Sequence, residues 1–334
     1  MKIAVIGAGA IGSLVAGYLS LKGEDVTLVG TPEAVGVIKK TGLHITGVRG
    51  AFDVRIEATE KLNAQPDLMV LAVKTQDLER TVNGSLEYLR NATIVSTQNG
   101  VQADNILVSL IRESNIISSI VMFGATYLKP GEVVHNFEGN WIIGRILRPV
   151  DAGLDQVQAI LSKAFPTIIS KDIWGMKHLK IFVNANNCIP AILGVSMQDA
   201  FADVDISRIS IGIWKEGLNV IKRSGVRLVS LPDFPLERVT KLVSLPDTEA
   251  AKVFTGIMTN LSKEPLYGSI LQSIKRARRS EIDYINGEFV NLAKKHGITA
   301  PLNQRLVELV HKVEETCRFF TKDELLASVQ EVLH

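Results

Sequence analysis

The chain has 334 residues, of which 46% are hydrophobic and 22% are charged, and this composition predicts about two ordinary globular domains. Its 37 basic and 35 acidic residues leave a net charge of +2, which gives no sign of a nucleic-acid partner. Its two cysteines, Cys188 and Cys317, lie too far apart in sequence to indicate a disulfide framework or a metal site, so we expect no metal and a reducing, cytoplasmic setting.

Residues 3–21, IAVIGAGAIGSLVAGYLSL, carry no charge, so a signal peptide or a membrane anchor has to be considered. Four glycines interrupt this run, and Lys2 is the one lysine that precedes it, which is not typical of a targeting segment. No other stretch is long enough to cross a bilayer. We therefore expect these residues to belong to the folded protein, and we expect no membrane partner.

The same N-terminal residues predict a strand, a tight turn and a helix, in that order. KIAVI (2–6) is a β-branched apolar run typical of a buried parallel strand, and glycines 7, 9 and 12 follow with the spacing G-x-G-x-x-G. Gly7 permits the turn, Gly9 lets the backbone approach a pyrophosphate, and Gly12 allows close helix–strand packing. Free N–H groups at the helix start would face the phosphates. The arrangement predicts dinucleotide binding, and the alternative is a glycine-rich turn without a ligand.

Strand-like runs then alternate with helical stretches, as in a doubly wound α/β domain. These runs are residues 25–30, 67–74, 91–100 and 115–126. Residues 127–145 alternate around Pro130-Gly131, which predicts antiparallel strands added to the edge of the sheet. After Pro166 the strand patterns fade. We therefore predict a Rossmann-type NADP-binding domain over residues 1–170 and an all-α substrate domain over residues 171–334, with a small substrate in the cleft between them.

The residue after the second strand distinguishes NAD from NADP. NAD enzymes usually place Asp or Glu there to bind the ribose 2′-hydroxyl, whereas this chain has Gly30 and Thr31. A 2′-phosphate would meet no carboxylate at the strand tip, although no arginine stands there to bind it. We therefore predict NADP (NADPH) as the cofactor. Glu33 is the residue that could reverse this preference by folding back into the site.

Two later strands also end in polar residues, Lys74 after LMVLAV and Asn99 after TIVSTQ. In open α/β sheets, ligands bind beyond the carboxyl ends of the strands. Lys74 and Asn99 are therefore candidates for ligand binding. The alternative interpretations are a solvated loop residue for Lys74 and an Asn-Gly turn for Asn99.

The C-terminal half reads as helices separated by short breaks. Residues 269–297 predict one long helix that ends at Gly297, in which KRARR (275–279) is most simply a solvated face. A further helix begins near Pro301.

LKIFVNANNC, residues 179–188, reads as a buried helix with unexpected polar side chains. At about 100° per residue, Asn184 and Asn187 lie on the same face as Lys180, whereas Asn186 points elsewhere. Buried amides and ammonium groups need polar partners. The stripe therefore predicts a lining of the substrate cleft, and the alternative is a buried network to another helix.

These segments together resemble 2-dehydropantoate 2-reductase, also called ketopantoate reductase. The resemblance rests on GAGAIG at residues 7–12, Lys74, QNG (98–100), KIFVNANN (180–187) and RRSEIDYINGEFV (278–290), in the right order over nearly the whole chain. It implies NADPH-dependent reduction of 2-dehydropantoate to (R)-pantoate, on the route to pantothenate and coenzyme A. The partners it implies are a small 2-oxo acid and, as an assembly to test, a second copy of the chain.

The resemblance also implies roles for individual residues. Lys180 matches the general acid that protonates the carbonyl oxygen, and Glu281 matches a carboxylate that helps to hold the substrate and the lysine. The implied substrate-binding residues are Asn99, Asn184, Asn187 and Ser269. The implied cofactor-binding residues are Gly7, Ala8, Gly9, Ala10, Ile11, Gly12, Thr31, Lys74, Asn99 and Glu281.

The chain departs from the family pattern at three points. The arginine that the family can carry near Gly30 is absent, the second family asparagine falls at Cys188 with Asn187 beside it, and Lys177 competes with Lys180 as proton donor. We prefer Lys180 because it keeps a spacing of four residues to Asn184. Two other functions stay open: a reductase of another 2-oxo acid on the same scaffold, and an NADP-binding redox sensor without turnover.

Overall fold

The structure is a computed structural model, and it describes residues 1–89, 91–146, 149–262 and 264–333. The chain divides into two compact units, Met1–Trp174 and Gly175–His334. The first unit contains the strands, and the second is built from helices, which confirms the predicted fold class: an α/β Rossmann-type domain followed by an all-α domain.

The first unit contains two sheets. Its strands are β1 (Lys2–Ile6), β2 (Asp25–Val29), β3 (Leu43–Gly47), β4 (Phe52–Val54), β5 (Glu57–Thr59), β6 (Leu68–Leu71), β7 (Thr93–Ser96), β8 (Ile116–Val121), β9 (Gly124–Lys129), β10 (Glu132–Phe137), β11 (Trp141–Gly144) and β12 (Thr167–Ser170). Within the described ranges the main sheet has eight strands in the order β12-β11-β8-β7-β6-β1-β2-β5. All neighbours are parallel except the pair β8 and β11.

Helices cover both faces of the main sheet. They are α1 (Ala10–Leu21), α2 (Pro32–Thr41), α3 (Thr75–Asn83), α4 (Leu86–Leu89), α5 (Gln102–Leu110) and α6 (Ala152–Leu161), and a short 3₁₀ helix covers Glu113–Asn115. Successive residues of a strand point to opposite faces, so β6 is buried on both sides. Leu68 and Val70 pack in one apolar core, and Met69 and Leu71 pack in the other. These apolar runs explain why the central strands were predicted correctly.

The strand pairing corrects one prediction and shows four short strands that were not predicted. Residues 127–145 do not simply extend the edge of the main sheet. Strands β9 and β10 pair with each other in a separate four-stranded sheet of order β4-β3-β10-β9, and β11 joins the main sheet between β8 and β12. No strand was predicted at β3, β4 or β5, nor at β12 after Pro166. These strands have three to five residues each, so pairing with neighbours rather than local sequence determines them.

An aromatic cluster joins α1 to the second sheet. The Tyr18 hydroxyl hydrogen-bonds with Nδ1 of the fully buried His135, at 3.1 Å. Phe123 and Phe165 stack at 3.9 Å between ring centroids and contact the imidazole edge-on. Burial lowers the pKa of His135, the Glu138 charge opposes this shift, and the Arg49 charge adds to it. The histidine is therefore a neutral packing residue at pH 7.

The second unit is a helical assembly, and its first helix begins at the end of the first unit. Its helices are α7 (Ile173–Ala185), α8 (Cys188–Leu193), α9 (Met197–Phe201), α10 (Val204–Ser224), α11 (Leu236–Ser244), α12 (Asp247–Thr259), α13 (Ser269–Ile274), α14 (Asn286–Lys295), α15 (Pro301–Thr316) and α16 (Lys322–Val329). A short 3₁₀ helix covers Ile282–Tyr284. The start of α15 at Pro301 agrees with the sequence prediction.

A buried polar network orders the middle of this unit. The Glu216 carboxylate on α10 accepts the backbone N–H groups of Leu302 and Asn303, at 2.9 and 2.8 Å, and so caps α15. The Asn303 side chain donates to the same carboxylate and accepts from the Asn286 amide. Both Glu216 oxygens and the Asn303 amide are hydrogen-bonded in this network, whereas Asn286 Oδ1 is buried and has no hydrogen-bond partner within the described ranges.

Among the residues that the structure describes, no helix is both long enough and apolar enough to cross a bilayer. Nor do three or more His, Cys, Asp or Glu side chains come together there in a group that could hold a metal ion.

Candidate active site

The three glycines of the turn between β1 and α1 have different steric surroundings. Gly7 has φ +113°, and a Cβ atom on it would lie 2.7 Å from the Ala72 carbonyl carbon. A Cβ atom on Gly12 would lie 1.9 Å from the Gly7 carbonyl oxygen, so the helix can approach the strand only at a glycine. A Cβ atom on Gly9 would meet nothing within 4 Å. The turn is therefore closely packed on two sides and open at Gly9.

The open side of this turn is suited to an anion. Gly9 is the N-cap of α1 and has no side chain to accept the first N–H groups, and the first turn of α1 carries no acidic residue. Ala10 and Ile11 form the start of that turn. Unsatisfied N–H groups and the helix dipole both favour a phosphate at such a position. The residues present therefore fit the pyrophosphate of a dinucleotide.

The tip of β2 explains why Gly30 has no side chain. A Cβ atom there would lie 2.7 Å from the Ala8 side chain, so the glycine turn excludes a carboxylate at this position. Thr31 is exposed and caps α2, because its hydroxyl accepts the Ala34 N–H at 3.4 Å. Glu33 is also exposed, in the first turn of α2. The absence of an acidic residue at position 30 is thus a packing requirement and not by itself a cofactor signal.

Lys74 and Asn99 follow the neighbouring parallel strands β6 and β7, and Gln98 joins the two strand ends. The Gln98 side chain donates to the carbonyl oxygens of Leu71 and Val73, at 2.9 and 2.8 Å, and accepts from the Ser96 hydroxyl. Gln98 is buried, whereas Lys74 and Asn99 are partly buried. No role was predicted for Gln98. The one sequence feature that could have indicated it is its position between a buried strand and the Asn-Gly pair.

The predicted single helix around LKIFVNANNC is two helices. α7 ends at Ala185 and α8 begins at Cys188. Between them the Asn187 N–H donates to the Asn184 carbonyl oxygen at 2.9 Å, and Asn186 accepts the Ile189 N–H at 3.2 Å. Asparagine has a low helix propensity, so three of them within four residues are consistent with a break here. The helical angle therefore applies to Lys180 and Asn184, one turn apart on α7, but not to Asn187.

Lys180 has the most unusual environment of the candidate residues. It is partly buried, and burial lowers the pKa of its ammonium to about 8. Within the described ranges, no residue hydrogen-bonds or forms an ion pair with it. Burial is the cause of this shift, and neither Glu281 nor another carboxylate contributes to it. Lys177, the competing lysine, is 3% exposed and does have a partner.

The asparagines after Asn184 have distinct surroundings. Cys188 is fully buried and hydrogen-bonds with the Asn286 side chain, and burial raises the pKa of its thiol to about 12. Asn186 is buried, and its Oδ1 atom has no hydrogen-bond partner within the described ranges. Asn187 is partly exposed and lies against Gly268, where a Cβ atom would come within 3.1 Å of the Asn187 side chain. Asn187 rather than Cys188 is therefore available to a ligand.

Ser269 and Glu281 lie in a region that the sequence analysis predicted as one helix, and this prediction is wrong. α13 ends at Ile274, Ala277 takes a left-handed conformation with φ +51°, and the Arg278 N–H donates back to the Ser273 carbonyl oxygen at 3.0 Å. Ser269 is the exposed first residue of α13, next to Gly268. Glu281 is partly buried and directly precedes the 3₁₀ helix.

Comparison with known families covers most of the chain. The family model described as Ketopantoate reductase PanE/ApbA matches residues 3–148, and the model Ketopantoate reductase PanE/ApbA C terminal matches residues 172–314. A 2-dehydropantoate 2-reductase of Pyrococcus horikoshii is 32% identical over 94% of this chain and 98% of its own length. The enzyme of the same name from Archaeoglobus fulgidus is 28% identical, again over 94% and 98%.

Solved structures give the same picture. A PanE/ApbA family ketopantoate reductase from Ralstonia eutropha JMP134 is 26% identical with a TM-score of 0.79, and the match covers 94% of this chain and 99% of that one. D-mandelate dehydrogenase in complex with NADH is 25% identical with a TM-score of 0.79, over 95% and 99% of the two chains. The matches extend over both units.

Proposed function

The chain belongs to the ketopantoate reductase family, which makes it an oxidoreductase with an NAD(P)-binding domain, and we propose that it reduces 2-dehydropantoate to (R)-pantoate with NADPH. Lys180 is the proton donor in this proposal. The observation that carries it is the partly buried Lys180 ammonium, which has a pKa of about 8 and no partner within the described ranges. An ammonium without a protein partner is costly to bury, so a ligand is the simplest explanation for it.

The chemistry needs both a hydride and a proton. The bound nicotinamide supplies the hydride to the carbonyl carbon. Lys180 stabilises the negative charge that grows on the carbonyl oxygen and then donates a proton to it, and solvent restores the lysine. A pKa near 8 leaves most of the lysine protonated at pH 7, yet the proton is given up more readily than from an ordinary lysine.

The other side chains of the second unit bind and orient the substrate. Asn184 lies one helical turn after Lys180, so its amide can hydrogen-bond to the substrate hydroxyl group while the lysine meets the carbonyl oxygen. Asn187, which lies against Gly268, and Ser269, which follows Gly268 in the chain, offer further polar groups. Glu281 accepts hydrogen bonds from the hydroxyl groups of the substrate.

In the first unit, the open side of the glycine turn supports pyrophosphate binding, and Lys74 and Asn99 supply polar groups at the neighbouring strand ends. The preference for NADPH is supported by Thr31 and the start of α2, where a 2′-phosphate would find a hydroxyl and a favourable helix dipole. Glu33 in the same turn opposes this preference. Titration of both reduced cofactors by fluorescence tests it, and tighter binding of NADH would contradict it.

A second candidate function is the reduction of a different 2-oxo acid. The match to D-mandelate dehydrogenase favours it, because the same scaffold there carries an enzyme named for an aromatic hydroxy acid. The family makes the third option, a sensor without turnover, the weakest of the three.

The deciding experiment follows NADPH oxidation with 2-dehydropantoate and a panel of 2-oxo acids that includes the aromatic benzoylformate. We expect kcat/KM to be about 10²-fold higher or more for 2-dehydropantoate, since a pocket that hydrogen-bonds a hydroxyl discriminates against substrates without one. A preference for benzoylformate would favour the second candidate. A homodimer and a cytoplasmic location stay predictions, and light scattering of the purified protein tests the first of them.

A further inference from the structure

The residues on both sides of Glu281 are held by α15. The Ser280 backbone N–H donates to Oε1 of Glu314 at 2.7 Å. Asp283, two residues after Glu281, contacts Nε2 of His311 through Oδ1 at 3.0 Å. His311 and Glu314 are one turn apart on α15 and contact each other, Nδ1 to Oε2, at 3.1 Å. We call Asp283, His311 and Glu314 the His311 bridge.

The bridge is most buried at Glu314 and most exposed at Asp283, whose side chain is 55% exposed. The Glu314 side chain is only 9% exposed, and His311 is about one-third exposed at 33%. Burial of the imidazole alone would lower its pKa, but the hydrogen bonds and charges of Asp283 and Glu314 outweigh this, and the pKa of His311 is raised. A protonated imidazole donates from both ring nitrogens, and so it can hydrogen-bond to both carboxylates together.

The backbone between the two attachment points is also ordered locally. The Ile282 N–H donates to the Ser280 hydroxyl at 3.3 Å, and the Tyr284 N–H donates to the Glu281 carbonyl oxygen at 3.0 Å. The Ile282 side chain is fully buried. These contacts and those of the His311 bridge are made by the residues next to Glu281 and by its backbone. They fix the direction from which that side chain leaves the backbone.

We propose that His311 and Glu314 are positioning residues, which hold the 280–283 segment on α15 so that the Glu281 carboxylate is correctly placed for the 2-oxo acid. This inference rests on the proposed function, in which Glu281 binds the substrate. Neither residue contacts the substrate in this account. A shift of about 1 Å in a binding group can cost as much as 10²-fold in rate, so the placement is expected to matter.

The test combines Glu314→Ala with Glu281→Ala. We expect Glu314→Ala to lower kcat/KM for 2-dehydropantoate about tenfold, with NADPH affinity unchanged, because the loop has lost its attachment. In the Glu281→Ala background, the same change should have less than about a twofold effect, because the group it positions is already absent. A residue that supported only the fold would lower activity equally in both backgrounds.

Two further variants keep the test decisive if Glu314→Ala folds poorly. Glu314→Gln retains an oxygen acceptor for the Ser280 N–H, so it should recover most of the lost activity. His311→Ala leaves that N–H bond and removes the link to Asp283, so its loss of activity should also disappear in the Glu281→Ala background. Glu308→Ala is the matched control: it removes an exposed α15 carboxylate that pairs with Arg305 and does not contact the loop.

Hydrogen exchange provides a readout that does not depend on turnover. Segment 280–283 should exchange faster in Glu314→Ala than in wild type, and it should be unchanged in Glu308→Ala. Unchanged exchange, or equal losses of activity in both Glu281 backgrounds, would overturn the inference. Wild-type enzyme that fails to oxidise NADPH with 2-dehydropantoate would instead contradict the proposed function, and the exchange result would still decide whether α15 holds the loop.

Discussion

The glycine turn of the first unit and the polar face of α7 in the second unit use side chains in opposite ways. At the turn, side chains are excluded, since Cβ atoms on Gly7 and Gly12 would collide with backbone, and the backbone itself offers the binding groups. On α7, the backbone is occupied by the helix, and in the proposed function side chains such as Lys180 carry the chemistry. A substitution at the turn therefore tests steric fit, whereas a substitution on α7 tests the charge and hydrogen bonding of a side chain.

The largest effect is expected at Gly12. Gly12→Ala places a methyl group 1.9 Å from the Gly7 carbonyl oxygen, so the turn must shift. We expect the free energy of unfolding to fall by about 3 kcal/mol, at the upper end of overpacking effects. Thermal and chemical denaturation measure it. Gly9→Asp, at an open position three residues earlier, should leave stability unchanged and abolish nucleotide binding. Equal melting temperatures for the two variants would contradict this account of the turn.

The second prediction concerns Lys180→Met, which should lower kcat by about 10²-fold or more through loss of the proton donor. It should also stabilise the protein. The folded-state pKa is about 8 against an ordinary 10.5, so the unfolded state binds the proton more tightly. This lowers the free energy of unfolding by at most about 3.4 kcal/mol, an effect that is fully present below pH 8 and disappears as the pH rises to 10.5. Urea denaturation at pH 7 and pH 9, run beside steady-state kinetics, tests both effects.

A different outcome would point to a structural role for the α7 stripe. If Lys180 belonged to a buried network, its removal would lower stability by about 1–3 kcal/mol and leave turnover normal. Near wild-type kcat in a folded Lys180→Met protein would therefore exclude it as the proton donor. Lys177→Met is the matched control on the same helix, and a large loss of kcat there would reassign the role.

The third prediction separates binding from proton transfer on the same helix. In the proposed function, Asn184→Ala removes a hydrogen bond to the substrate that exists before and during the reaction. We expect KM for 2-dehydropantoate to rise about tenfold, with a smaller effect on kcat. NADPH affinity, measured by fluorescence, should not change. A loss confined to kcat would show that Asn184 acts only in the transition state.

The smallest effect is expected at His135, where the first unit buries a base for packing alone. Its pKa is lowered by burial, so its contribution to stability is present above about pH 6.5 and is lost as the pH falls through the lowered value. The slope is at most about 1.4 kcal/mol per pH unit. His135→Gln should flatten the decline in melting temperature between pH 7 and pH 5 without changing turnover. An unchanged slope would mean that other groups cause the acid sensitivity.

The accuracy of the sequence predictions follows the same division. The fold class and the glycine turn were predictable because glycine spacing and β-branched runs act within a few residues. The carbonyl groups that the Gln98 amide contacts and the Ser280 N–H that Glu314 accepts lie 25 or more residues away, so no local pattern indicates these contacts. The helix breaks near Asn186 and Ala277 were partly predictable. The asparagines were a visible signal for the first, but the left-handed Ala277 was not, since alanine rarely takes that conformation.

The two cysteines have unequal surroundings, and this makes the native protein suitable for site-specific labelling. Cys188 is enclosed, and its thiol stays protonated at any ordinary working pH, whereas Cys317 is exposed at the end of α15. Because only thiolates react with maleimides, one fluorophore or spin label should attach at Cys317 without any mutation. The label would sit three residues beyond Glu314, where its mobility could be followed during substrate binding without any change of sequence.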